Sequence, residues 1–106
     1  VEAHRGGSRR LAHLAVLTVA VAPGWRGRGV GTALMDAARR WAASRRLRKL
    51  QLHVRAGNTG AIALYRRLGY EVEGVLREQV AIAPAGGGPA YEDEWIMALH
   101  LTEERP

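Results

Sequence analysis

The chain has 106 residues, enough for one compact domain, and 47% of them are hydrophobic, which argues for a packed core and against wholesale disorder. It contains no cysteine, which excludes a disulfide framework, a cysteine nucleophile and a thiolate metal site. The formal charge is +6, but basic residues such as Arg39, Arg40, Arg45, Arg46, Arg66 and Arg67 are scattered without interleaved aromatics, so a solvated helix face explains them better than a nucleic-acid groove.

Val1 to Arg10 is polar and glycine-rich, a flexible lead-in or the tail of a preceding strand. Its start, Val1-Glu2-Ala3-His4-Arg5, has no apolar signal core, and no apolar run approaches the ~18–20 residues of a membrane helix. The expectation is a cytoplasmic protein with no membrane partner. Leu11 to Ala22 is continuously apolar and reads as a central strand covered on both faces. From Val30 the positions Val30, Leu34, Ala37, Ala38 and Trp41 recur at helical spacing, which predicts a helix ending near Arg46.

Leu50, Leu52 and Val54 alternate with Gln51, His53 and Arg55, the period of a strand. Asn58 is a good N-cap for a short helix holding Ile62, Tyr65 and Leu68, with Gly69 at its stop. Tyr70 to Ala83 reads as one strand with a bulge at Gly74. The run Pro84-Ala85-Gly86-Gly87-Gly88-Pro89 is a loop, and Tyr91 to Leu101 is the last strand. The order strand, helix, strand, helix, strand, strand predicts an α/β start that ends in a hairpin.

Between the first strand and the first helix lies Val21-Ala22-Pro23-Gly24-Trp25-Arg26-Gly27-Arg28-Gly29-Val30-Gly31-Thr32. Glycines let a backbone approach a ligand, the N–H groups of a first helical turn point at it, and Arg26 and Arg28 add positive charge. A phosphate-bearing ligand is the expectation. The nucleotide P-loop is excluded because no lysine follows the glycines, and the dinucleotide fingerprint fails because Thr32 or Leu34 stands where its third glycine belongs.

What fits is Arg26-x-x-Gly29-x-Gly31 after Val21-x-Pro23, which resembles the acyl-CoA-binding motif of the GNAT-type N-acetyltransferases. Leu52 to Tyr70, with Asn58 and the ending Leu64-Tyr65-x-x-x-Gly69-Tyr70, is similar to the family's strand, asparagine turn and short helix. The resemblance runs from about Leu11 to Leu101. It implies an α/β acyl-CoA N-acyltransferase fold, a mixed central sheet flanked by helices, in a single domain over residues 1–106. Complete members carry a further strand, two helices and about two more strands before the Val-x-Pro strand, where at most ten residues stand here. That N-terminal strand-helix-helix-strand part is therefore expected to be lacking, and the chain reads as a fragment, a mis-set start or a short member.

The implied activity is transfer of acetyl from acetyl-CoA, as co-substrate, to a primary amine by direct attack in a ternary complex. The acceptor is a protein N-terminus or a small amine, and a homodimer is left open. The alternative is a CoA-binding half-domain without catalysis, acting as an interaction or regulatory module. By resemblance, the amides of Val19 and Val21 pair with the pantetheine arm, and Arg26, Gly27, Arg28, Gly29, Val30, Gly31 and Thr32 hold the pyrophosphate. Asn58 lies near the pantetheine, or serves as an N-cap, or both.

Tyr65 matches the tyrosine that protonates the departing CoA sulfur, a task suited to a phenol of pKa ~10. The plainer reading is a core aromatic beside Ile62 and Leu68. Some relatives have a glutamate twelve residues before that tyrosine. Here the position is His53, which with an ordinary pKa of ~6.5 could serve as general base or be a polar residue on a half-exposed strand. His13 is the weaker candidate. His53, His13 and His100 show no carboxylate partner at metal spacing, so no metal is expected. Glu92, Asp93 and Glu94 precede the last strand and read as hairpin-end solvation, or as a lure for a cationic amine.

Overall fold

The computed structural model describes residues 2–7, 9–18, 29–83 and 86–101. Five strands, β1 (Glu2–Arg5), β2 (Leu14–Thr18), β3 (Lys49–Arg55), β4 (Glu71–Ile82) and β5 (Ala90–His100), form one mixed sheet in the order β1-β2-β3-β5-β4. Two helices, α1 (Val30–Ser44) and α2 (Thr59–Arg67), complete the α/β architecture. The chain divides into two compact units, Val1–Leu52 with Leu99–Pro106, and His53–Ala98.

In the first unit β1 pairs antiparallel with β2, with Ala3 opposite Leu17 and His4 opposite Val16. The polar lead-in thus contains a strand, and β2 has a neighbour on each side. Gly6 leaves β1 at a position where a Cβ would run into the Leu11 carbonyl, and its N–H donates to the Leu14 carbonyl at 3.1 Å. The expected strand from Leu11 to Ala22 is shorter: Arg9–Leu11 is a 3-10 turn, β2 covers five residues, and residues 19–22 lie outside those described. Ala15 and Leu17 are buried while Leu14 and Val16 are half-buried.

β2 runs parallel to β3, with Ala15 opposite Leu50 and Leu17 opposite Leu52. A parallel pair needs a crossover, and α1 lies within it. α1 buries Met35, Ala38 and Ala42, whereas Leu34 and Trp41 are half-buried and Ala37 is exposed. The apolar face is therefore turned from the one expected, because alanines at 33, 37, 38, 42 and 43 carry little phase information. The helix ends with Arg46 in a left-handed conformation (φ 56°) and Leu47 N–H returning to the Ala42 carbonyl at 3.0 Å.

In the second unit β4 and β5 form an antiparallel hairpin from Glu71 opposite Ala98 to Ile82 opposite Ala90. The expected bulge falls at Val72/Gly74, and a second irregularity lies between Leu76 and Val80. There Glu78 is left-handed (φ 49°), and its N–H donates to Asp93 Oδ1 at 2.9 Å. The end of α2 is a Schellman motif: Gly69 is left-handed (φ 96°), Tyr70 N–H reaches the Tyr65 carbonyl and Gly69 N–H the Arg66 carbonyl. This reversal brings the two buried rings of Tyr65 and Tyr70 to a centroid distance of 6.0 Å.

Candidate active site

The described part of the glycine turn lies in the first unit. Gly29 is the N-cap of α1 at φ 76°, ψ 2°, a left-handed conformation that a Cβ would strain, and its carbonyl accepts Ala33 N–H at 3.0 Å. No side chain caps this terminus, and the first turn holds no acidic residue. Val30, Gly31 and Thr32 supply the amides that a helix leaves without an intrahelical acceptor. Thr32 is exposed, and Val30 and Gly31 are half-buried. Val19, Val21, Arg26, Gly27 and Arg28 lie outside the described residues, as does Trp25.

The second unit carries Asn58, His53 and Tyr65. Asn58 meets its N-cap expectation, with Oδ1 accepting Ala61 N–H at 3.2 Å. Tyr65 is buried on α2, and burial pushes its phenol above the ordinary value. That burial, beside Tyr70, bears out the plainer reading of Tyr65 as a core aromatic.

His53 and Arg55 project from the exposed side of β3, while Leu50, Leu52 and Val54 are buried. His53 Nδ1 lies 3.0 Å from Glu94 Oε1. One pair further along, Arg55 Nε donates to Glu92 Oε1 at 2.9 Å and a second guanidinium nitrogen to Oε2 at 3.3 Å, a two-pronged contact. Gly57 N–H adds a 3.4 Å bond to the same carboxylate. Arg55 beside Glu92 is the main cause that holds this carboxyl below the usual carboxylate range, with the Gly57 amide adding to it against some desolvation.

Two expectations change here. Glu92, Asp93 and Glu94 are not hairpin-end solvation: they lie within β5, and each has a partner in Arg55, Glu78 N–H or His53. His53 also has a carboxylate partner that the sequence did not reveal. The signal was present as basic residues at 53 and 55 and acidic ones at 92 and 94, the same two-residue step on two strands. Using it required the β3–β5 pairing, which joins strands that are not consecutive. Among the described residues no group of three or more His, Cys, Asp or Glu is placed to hold a metal ion.

The family model of the acetyltransferase (GNAT) family matches residues 3–70. An uncharacterised N-acetyltransferase of Methanocaldococcus jannaschii is 46% identical over 57 residues, 54% of this chain and 25% of that protein. The ribosomal-protein-S18-alanine N-acetyltransferase of Escherichia coli superposes with a TM-score of 0.74 at 32% identity, over 88% of this chain and 57% of that one. A GCN5-related N-acetyltransferase from Kribbella flavida gives a TM-score of 0.82 at 32% identity, over 93% and 57%. The chain therefore spans a quarter of the length of the first and just over half that of the two structures. With the family model covering well over half of its residues, the chain belongs to the GNAT family of acetyltransferases.

Proposed function

We propose that the chain acts as an N-acetyltransferase, moving an acetyl group from acetyl-CoA to a primary amine by direct attack in a ternary complex. The observation that carries this reading is the start of α1, where left-handed Gly29 opens onto a helical turn with no side-chain cap and no carboxylate. Such a terminus suits a pyrophosphate, because its amides donate to the oxygens and the helix dipole favours negative charge. Gly29, Val30, Gly31 and Thr32 would hold it, together with Arg26, Gly27 and Arg28 of the same sequence motif. Val19, Val21 and Asn58 would serve the pantetheine arm. When bound, acetyl-CoA supplies an activated thioester carbonyl and a thiolate leaving group.

Two side chains then move protons. His53 is the base that takes the proton of the attacking amine. Tyr65 is the acid: burial raises its phenol, so it stays protonated and holds a proton to give to the departing sulfur. Likeness to an enzyme named for alanine of a ribosomal protein favours a protein N-terminus as acceptor, with small amines as the other class. The donor is an intracellular thioester, so the reaction belongs in the cytoplasm.

The test is calorimetric titration with acetyl-CoA, with ATP and NAD as controls, followed by turnover against a panel of amines. Selective binding of acetyl-CoA with acetylation of an amine is expected. Binding without turnover on any amine would favour a non-catalytic CoA-binding module, and no binding by the folded chain would overturn the ligand assignment.

A further inference from the structure

We infer that Glu94 is a positioning residue for His53, fixing the imidazole so that its Nε2 is the atom that accepts the amine proton. The inference deepens the proposed acetyl transfer and rests on His53 acting as base there. An ionised carboxylate has no hydrogen to give, so in a 3.0 Å contact between His53 Nδ1 and Glu94 Oε1 the nitrogen must be the donor. In the neutral ring that leaves the lone pair on Nε2. The pair is built by the sheet, because His53 and Glu94 lie on β3 and β5, held together next to them by the Ala56 N–H to Asp93 carbonyl bond of 2.9 Å. His53 keeps 38% of its side chain exposed, so the ring can still be reached, while Glu94 at 22% is the more enclosed partner.

The amine nitrogen forms its bond to the acetyl carbon and loses one proton, which His53 Nε2 takes up, while the carbon–sulfur bond of the thioester breaks and the CoA sulfur departs with the proton of Tyr65. The resulting imidazolium carries its positive charge beside the Glu94 carboxylate, which remains ionised. Glu92 cannot take this place, since both its oxygens are engaged by Arg55. Glu94 thus does for this histidine what a buried carboxylate does in a hydrolase triad: it sets tautomer and orientation without itself taking up the proton.

The experiment uses the full chain labelled with 15N at histidine, with an N-terminal-alanine peptide as the acceptor probe. In the wild type the His53 nitrogens should show a protonated Nδ1 and a bare Nε2 when the ring is neutral. Glu94→Ala should abolish that preference and lower kcat roughly tenfold to a hundredfold, below the ~10²–10⁴-fold that a general base itself supplies. The KM for acetyl-CoA should stay as it is. Glu94→Gln, which keeps an oxygen that accepts from Nδ1, should recover part of both losses.

His53→Ala is the control that separates this inference from the reading beneath it. If His53→Ala turns over as fast as the wild type, or the wild type acetylates no amine, the base assignment falls and takes the inference with it. If His53→Ala is slow while Glu94→Ala leaves either the tautomer or kcat unchanged, the inference alone is overturned.

Discussion

Gly29 and Tyr65 make opposite demands on their surroundings, and each yields a separable test. At φ 76° any L side chain at position 29 is strained, although a Cβ would meet nothing within 4 Å. Gly29→Ala should therefore cost about 1 kcal/mol of stability through backbone conformation alone, and Gly29→Asn less, because asparagine tolerates the left-handed region. Gly29→Glu adds bulk and negative charge at the helix terminus and should abolish acetyl-CoA binding in calorimetry while the protein remains folded. Retained affinity in that variant would remove the pyrophosphate from this terminus. Tyr65 is buried and needs no backbone exception. Tyr65→Phe keeps the packing with Tyr70 and deletes only the phenolic proton, so turnover should fall while the acetyl-CoA dissociation constant stays within about twofold, a few tenths of a kcal/mol. Undiminished kcat would reduce Tyr65 to a core aromatic.

At the scale of elements, the local signals were readable and the cross-strand ones were not. Asn58 and Gly69 announce the start and stop of α2 because capping is a short-range affair of one side chain or one left-handed residue. The bulge beside Gly74 was legible for the same reason. The second irregularity, at Leu76/Val80, was not, because Glu78 is an unusual residue to place at φ 49° and its support comes from Asp93 on another strand. Likewise the Arg55–Glu92 and His53–Glu94 pairs exist only once β3 and β5 are neighbours. The first pair has a consequence for stability. Because Arg55 and the Gly57 amide lower the Glu92 carboxyl in the folded state, its ionised form contributes stability that is complete above the unfolded carboxylate value, ~4.3, and is lost as pH falls through the folded one. The melting temperature of Glu92→Gln should lie below that of the wild type at neutral pH, and the gap should close in strong acid. A gap of the same size at both ends of the titration would mean that the pairing has no proton linkage.

Seen as a whole, the molecule combines a formal charge of +6 with a helix terminus free of acidic residues, and both favour an anionic ligand. The two features make different predictions, which is why they can be told apart. Net charge acts over distance and is screened by salt, with a Debye length of ~10 Å at 0.1 M falling to ~3 Å at 1 M. A chain that merely collected polyanions would lose its affinity for DNA steeply with salt and gain no stability from acetyl-CoA. Backbone amides at the start of α1 act at hydrogen-bond distance and are far less easily screened. Saturation with acetyl-CoA at a hundred times its dissociation constant should therefore stabilise the folded chain by about 2.7 kcal/mol. For a domain of this size that is roughly 10 °C or more in melting temperature. The increment should persist at high ionic strength when the ligand concentration is raised to keep the same saturation, and the same molar excess of ATP or NAD should give much less. A melting temperature that rises equally with all three ligands, and falls back with salt, would make the charge and not the glycine turn responsible for binding.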